Sequence, residues 1–158
     1  MRTMGKGRHA RGGDRPDYSQ FLTDADQERR RSRSRAVDRL LEWGAYLPPE
    51  DLVVLEWVYR EGRSVAALAR ERGVPSDRLQ RQLRRVLKRM KHPRYRYTAK
   101  SLALFPRHLQ VTAKQRFLWG YSLRQMEACR RLSLHKLRVQ VTTLETLIDA
   151  GLAHLVQH

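Results

Sequence analysis

A single cysteine, Cys129, occurs in 158 residues. One thiol excludes an internal disulfide and a cysteine-based metal cluster, and it suits a reducing compartment. No apolar run approaches the roughly 18 residues that span a bilayer. No apolar stretch follows Met1-Arg2-Thr3-Met4-Gly5-Lys6, so a secretory signal is not expected. The six histidines are scattered, without a metal-ligand spacing such as His-Glu-x-x-His. Asp24 and Asp26 lie in a charged tail and make a poor acid–base pair. Cys129 stands beside Arg130 and Arg131 with no histidine placed near it by sequence, and reads as a plain helix thiol. No catalytic residue, metal or cofactor is therefore expected, and the chain does not read as an enzyme.

Acidic residues are also scarce. Sixteen Asp and Glu stand against 33 Lys and Arg, a net charge of +17. Such a balance favours a polyanionic partner, because each cation near a phosphate releases a condensed counterion. Hydrophobic content of 41% suits modest helical cores rather than a large enzyme cleft.

Residues 1–35 carry almost no core-forming periodicity and are expected to be a disordered basic tail. Its closing run, Arg29 to Arg35, would track phosphates or enter a minor groove as an arm. Tyr18, Phe21 and Leu22 form a weak candidate docking point. Periodic patterns follow. Val37, Leu40, Leu41 and Gly44 share a face over residues 36–46. Leu52, Leu55, Val58 and Tyr59, widened by Val54 and Trp57, predict a helix over 49–61 that ends at Gly62. Ser64 is a suitable N-cap for a short helix over 65–72, and Gly73 makes the turn after it. Leu79, Leu83, Val86, Leu87 and Met90 then form the apolar seam of a helix from Ser76 to Lys91. Two helices joined by a tight turn, the second rich in arginine, are the pattern of a helix-turn-helix that enters a DNA groove. Residues 94–104 read as a surface linker. The alternation from His92 to Tyr97 suggests weaker stacking on single-stranded bases.

Shifting the chain by 58 residues aligns it with itself without a gap. Leu47-Pro48 falls on Phe105-Pro106, Tyr59 on Phe117, Gly62 on Gly120 and Ser64 on Ser122. Leu68 falls on Met126, Val74 on Leu132, Leu79 on Leu137 and Leu83 on Val141. These are cap, turn and core positions, so two tandem modules are expected, over 36–93 and 105–158. The second is degenerate: Arg131 replaces the turn glycine, and Glu127 replaces Ala69. His135, Lys136, Arg138 and Gln140 remain candidates for a groove. Beyond Gln140 no Lys or Arg occurs. Leu144, Leu147, Ile148, Leu152 and Leu155 make an apolar stripe there, open to two uses: internal packing, or contact with a partner or a second copy.

The first module resembles region 4 of the primary bacterial sigma factors of RNA polymerase. The matching residues are Leu47-Pro48-Pro49-Glu50, Tyr59 with Glu61-Gly62, Ala66 with Leu68-Ala69, Gly73-Val74, and the block from Leu87 to Pro93. The likeness covers about residues 47–93, and more faintly 105–148. It implies a helix-turn-helix of the kind that binds the upstream promoter element. The family's base-reading positions fall on Ser76, Asp77, Gln80 and Arg81. Ser76 and Gln80 stand where the family usually has arginine, and Arg81 where it usually has glutamine, so the family's sequence preference does not carry over. A chain of this length leaves no room for the other sigma segments, so a stand-alone regulator is expected.

The sequence thus predicts an all-α, cytoplasmic, nucleoid-associated regulator that binds double-stranded DNA. Ser76, Asp77, Arg78, Gln80 and Arg81 would read bases, because Arg and Gln bond base edges bidentately. Arg63, Arg84, Arg85, Lys88, Arg89 and Lys91 would grip phosphates. Two other outcomes stay open: a protein that binds RNA polymerase at its sigma region 4 site, and a phage-type packaging or RNA-binding component. A homodimer through the C-terminal helix and the absence of a membrane partner complete the expectation.

Overall fold

A computed structural model describes residues 24–156, with side chains from residue 28 onward. The docking point at Tyr18, Phe21 and Leu22, and most of the expected tail, lie outside the described residues. Among the described residues all regular structure is helical, and no helix is long and apolar enough to cross a membrane.

The first helix, α1 (Asp24–Gly44), begins well before residue 36. The expected disordered tail therefore ends earlier than residue 35. Residues 24–35 hold no Gly or Pro and are mostly good helix formers, so the helix runs back from its apolar end through them. Residues 28–35 are exposed throughout.

Helices α2 (Pro49–Tyr59), α3 (Val65–Arg72) and α4 (Ser76–Lys91) form the first module. Pro49 opens α2, where its missing N–H costs nothing. Apolar residues surround α2, so it buries two sides. Val54 and Trp57 meet Leu68, Ala69 and Leu79, while Leu55 meets Leu47, Val86 and Met90. The Ser64 hydroxyl accepts the Ala67 N–H at 3.2 Å and caps α3. Gly73 ends α3 with φ +64°, and the Val74 N–H reaches the Ala69 carbonyl at 3.0 Å.

The expected linker is instead a helix, α5 (Pro93–Ser101), followed by a 3₁₀ turn at Leu102–Leu104. Pro93 starts it, and His92 Nδ1 accepts the Arg94 N–H at 3.2 Å as its cap. Tyr95, Thr98 and Ala99 are buried. Tyr95 packs among Leu47, Val86 and Met90, and its hydroxyl donates to the Trp43 carbonyl at 2.7 Å. That burial removes Tyr95 from any base-stacking surface. The helix packs on α4 and on the second module, and the described residues from 35 onward form one compact unit.

The second module holds α6 (Arg107–Ala113), continued by a π-helical turn at Lys114–Leu118, then α7 (Leu123–Cys129) and α8 (Leu134–Val156). The repeat is present in three dimensions. Gly62 and Gly120 both have positive φ. Ser122 caps α7 as Ser64 caps α3, here with Gln125 completing a reciprocal capping box. Leu47, Leu55, Val86 and Met90 form one core cluster, and their partners at a shift of 58, Phe105, Ala113, Leu144 and Ile148, form another. Likewise Leu68 and Leu79 correspond to Met126 and Leu137. The turns differ. Without a glycine, Arg130 adopts an extended backbone (φ −134°) instead of the left-handed cap of Gly73. The C-terminal stripe is divided: Leu144 and Ile148 are fully buried, whereas Leu147 and Leu155 are exposed. Internal packing therefore takes the core of that stripe.

Candidate nucleic-acid interface

Helix α4 buries Leu79, Val86 and Met90, which fixes its outward face. At 100° per residue, Arg78, Arg81, Arg84, Arg85 and Lys88 fall on the opposite side. All five are exposed. Arg78, Arg81, Arg84 and Arg85 line one shallow groove of about 470 Å³. None of the five has a carboxylate partner among the described residues. Desolvation and pairing do not tie up these charges, so they are available to an anion.

The residues expected to read bases occupy the first two turns of α4. Asp77, Arg78, Gln80 and Arg81 are exposed and Ser76 is half-buried. Gln80 Nε2 donates weakly to Ser76 Oγ at 3.4 Å, and Arg81 Nε donates to the Asp77 carbonyl at 3.2 Å. Both contacts are local, and Arg81 stays exposed.

The residues expected at phosphates divide into four groups. Arg84, Arg85 and Lys88 join the outward face. Lys91 is exposed but lies in a separate hollow with Arg39 and Arg96. Arg63 stands just before α3, its guanidinium 3.7 Å from the centroid of the Trp57 ring and 3.7 Å from Glu61. Trp57 is itself held by a hydrogen bond from Nε1 to the Ser64 carbonyl at 3.1 Å.

Arg89 departs from the expectation. Its Nη1 donates to Asp51 Oδ2 at 3.3 Å, to the Leu118 carbonyl at 3.3 Å and to the Trp119 carbonyl at 2.5 Å. At 120° around the helix from Asp77 it lies at the edge of the apolar seam, where it meets the second module. Here it links the two modules, with Nη1 engaged by a carboxylate and two carbonyls. Asp51, which sequence patterning left unassigned, is buried and also accepts from Gln82 Nε2 at 2.8 Å.

In the second module His135, Lys136 and Arg138 are exposed at the start of α8. Gln140 is half-buried and makes an internal contact. Its Oε1 accepts from Thr112 Oγ1 at 2.5 Å, and Thr112 in turn accepts from Arg130 at 2.6 Å, so it ties α8 to α6. At the repeat shift, Arg81, Arg84, Arg85 and Lys88 become Val139, Thr142, Thr143 and Thr146. The Thr143 and Thr146 hydroxyls donate back to the Val139 and Thr142 carbonyls at 2.9 and 3.1 Å, leaving the methyl groups outward. Four of the five cationic positions of the first module are thus uncharged and partly apolar in the second, and Lys136 keeps the charge of Arg78.

Two cations in positions of consequence escape a reading of the sequence alone. Arg94 pairs with Glu145 at 3.3 Å and Asp149 at 2.7 Å, joining α5 to α8. Arg116, on the π turn, lies near Lys88. Its only signal is the repeat register, where Val58 holds the same place in the first module. Comparison with known proteins finds no matching family model, no matching curated protein and no matching solved structure.

Proposed function

We propose that this protein is a sequence-specific regulator of transcription that binds double-stranded DNA through α4. One observation carries the proposal: five cations without a carboxylate partner among the described residues share the exposed face of the second helix of a helix-turn-helix. An α-helix fits the major groove of B-DNA, about 12 Å wide. Asp77, Arg78, Gln80 and Arg81, with Ser76 at the N-terminal edge, would meet base edges. Arg84, Arg85 and Lys88 would meet the flanking phosphates, with Arg63 and Lys91 outside them. Phosphate contacts set register and affinity, and base contacts set sequence.

Selection of bound duplexes from a random library, with and without RNA polymerase, tests this. Enrichment of one motif by the protein alone is expected. Recovery of unenriched sequence, or enrichment only when polymerase is present, would overturn it.

A second use of the chain, contact with another protein, is favoured by one feature. The uncharged face of α8 leaves Val139 and Leu147 54% and 42% exposed. RNA polymerase and a second copy of this chain are its candidate partners. Co-purification with polymerase after nuclease treatment supports the first, and a concentration-dependent dimer in sedimentation supports the second.

A further inference from the structure

A cavity of about 450 Å³ lies where α4, α5 and the second module meet. Arg85 and Lys88 of α4, Arg94 of α5, Arg116 and Phe117 of the π turn, and Glu145 of α8 line it. Its charges do not cancel. Glu145 is taken up by Arg94 at 3.3 Å. Arg116 gives one N–H to the Tyr121 carbonyl at 3.1 Å and meets no carboxylate among the described residues. Arg85 and Lys88 have no ion-pair partner among them either. Arg89 and Arg94 also line it but are paired, with Asp51 and with Glu145 and Asp149, so three cations without a carboxylate partner among the described residues share one concavity. Like charges in one concavity repel one another, and an anion between them reverses the sign of that interaction.

The cavity also adjoins the groove on α4. Arg85 lines both, with Arg78, Arg81 and Arg84 on one side and Lys88 and Arg116 on the other. We propose that this cavity is a phosphate site for the backbone of the duplex read by α4, with Arg116 of the second module as a phosphate ligand. Phe117 supplies an apolar wall for the adjoining sugar. The second module would then act in DNA binding without entering a groove: it closes one side of a phosphate track begun by the first. This rests on the DNA-binding proposal above.

The test uses the full chain with Arg116→Gln, Arg116→Lys and Lys88→Ala, checked for wild-type circular dichroism. Binding to a selected and to a random duplex is measured across a salt series, and inorganic phosphate and ADP are titrated separately. Arg116→Gln and Lys88→Ala should weaken both duplexes alike and each lower the slope of log affinity against log salt by about 0.9. Arg116→Lys should restore most of the slope. If Arg116→Gln keeps the wild-type slope while Arg81→Ala still relaxes sequence preference, the cavity inference fails and DNA reading by α4 stands. If ADP or phosphate competes for the cavity but the duplex slope does not change, the site serves a free phosphate and the inference is overturned. If wild-type protein binds neither duplex, both proposals fall together.

Discussion

Arg89 of α4 reaches Asp51 of α2 at 3.3 Å and continues to the Leu118 and Trp119 carbonyls of the second module. One guanidinium thus closes the first module and fastens it to the second. The Asp51 and Arg89 side chains are only 11% and 22% exposed. Gly120 makes the approach possible: its φ is +73°, and a Cβ there would lie 2.7 Å from Arg89 Nε.

Arg89→Ala is therefore expected to destabilise the protein by about 3 kcal/mol, since it strands a largely buried carboxylate. That corresponds to a fall in melting temperature of roughly 10 °C for a chain of this size. The second module shows another solution at the same places, with Leu109 and Leu147 for Asp51 and Arg89. The double variant D51L/R89L should recover part of the loss, because removing both partners leaves no stranded charge. The salt slope of duplex binding should be unchanged in Arg89→Ala. A fall of about 0.9 in that slope, with melting unaltered, would return Arg89 to the phosphate set.

A similar comparison isolates backbone strain at Gly73. The space around it is open, with no atom within 4 Å of an added Cβ. Any cost of substitution is thus conformational rather than steric, and comes from φ at +64°. Gly73→Arg, the residue found at the same place in the second module, should cost about 1–2 kcal/mol. Gly73→Asn should cost less, because asparagine tolerates the left-handed region. Urea midpoints measure both, and equal midpoints for all three proteins would contradict a conformational origin.

Tyr95 gives an alkaline signature. Burial pushes its phenol well above the ordinary value, with the Arg89 charge opposing. In the folded chain the neutral hydroxyl is favoured, so the folded state holds a proton that the unfolded state releases near pH 10. The contribution of Tyr95 is full below that pH and is lost as pH rises beyond it. Tyr95→Phe should cost about 1 kcal/mol at neutral pH, through loss of the bond to the Trp43 carbonyl. The gap between the two proteins should narrow above about pH 10. A gap that stays constant to about pH 11 would contradict the burial of the neutral phenol.

The helices of both modules were legible in sequence because their signals are local. Ser64, Gly73 and the seam of Leu79, Val86 and Met90 act through caps, backbone and 3.6-residue periodicity. The shift of 58 residues added tertiary information, since matched positions must bury together: Leu144 and Ile148 are core for the reason Val86 and Met90 are. What stayed hidden depends on the packing of one module on the other. Arg89 and Lys88 are adjacent cations in sequence, yet one points in and the other out. Only the carboxylate of Asp51 and the two carbonyls beyond it decide which. Helix α5 is hard to read because its buried side is short and mixed, with Thr98 beside Tyr95 and Ala99, and its basic residues resemble a linker.

The equivalence of α4 and α8 permits a test that separates folding from binding. Arg81, Arg84, Arg85 and Lys88 are exposed on α4. Their counterparts Val139, Thr142, Thr143 and Thr146 lie on an α8 that packs the same core positions. The α4 face can therefore take the α8 residues without disturbing Leu79, Val86 or Met90. The variant R81V/R84T/R85T/K88T should keep its helical content. Its stability should change by no more than about 1–2 kcal/mol, the summed helix propensity of four exposed residues. Its duplex affinity should collapse, with the salt slope falling by about 3 through loss of the three phosphate contacts of Arg84, Arg85 and Lys88. The reciprocal variant V139R/T142R/T143R/T146K, which writes the cationic face onto α8, should raise non-specific duplex affinity and steepen the slope. Wild-type affinity in the first variant would remove α4 as the DNA-binding element. Unfolding of that variant would instead mean that the outward face of α4 contributes to the core, contrary to the exposure of all four side chains.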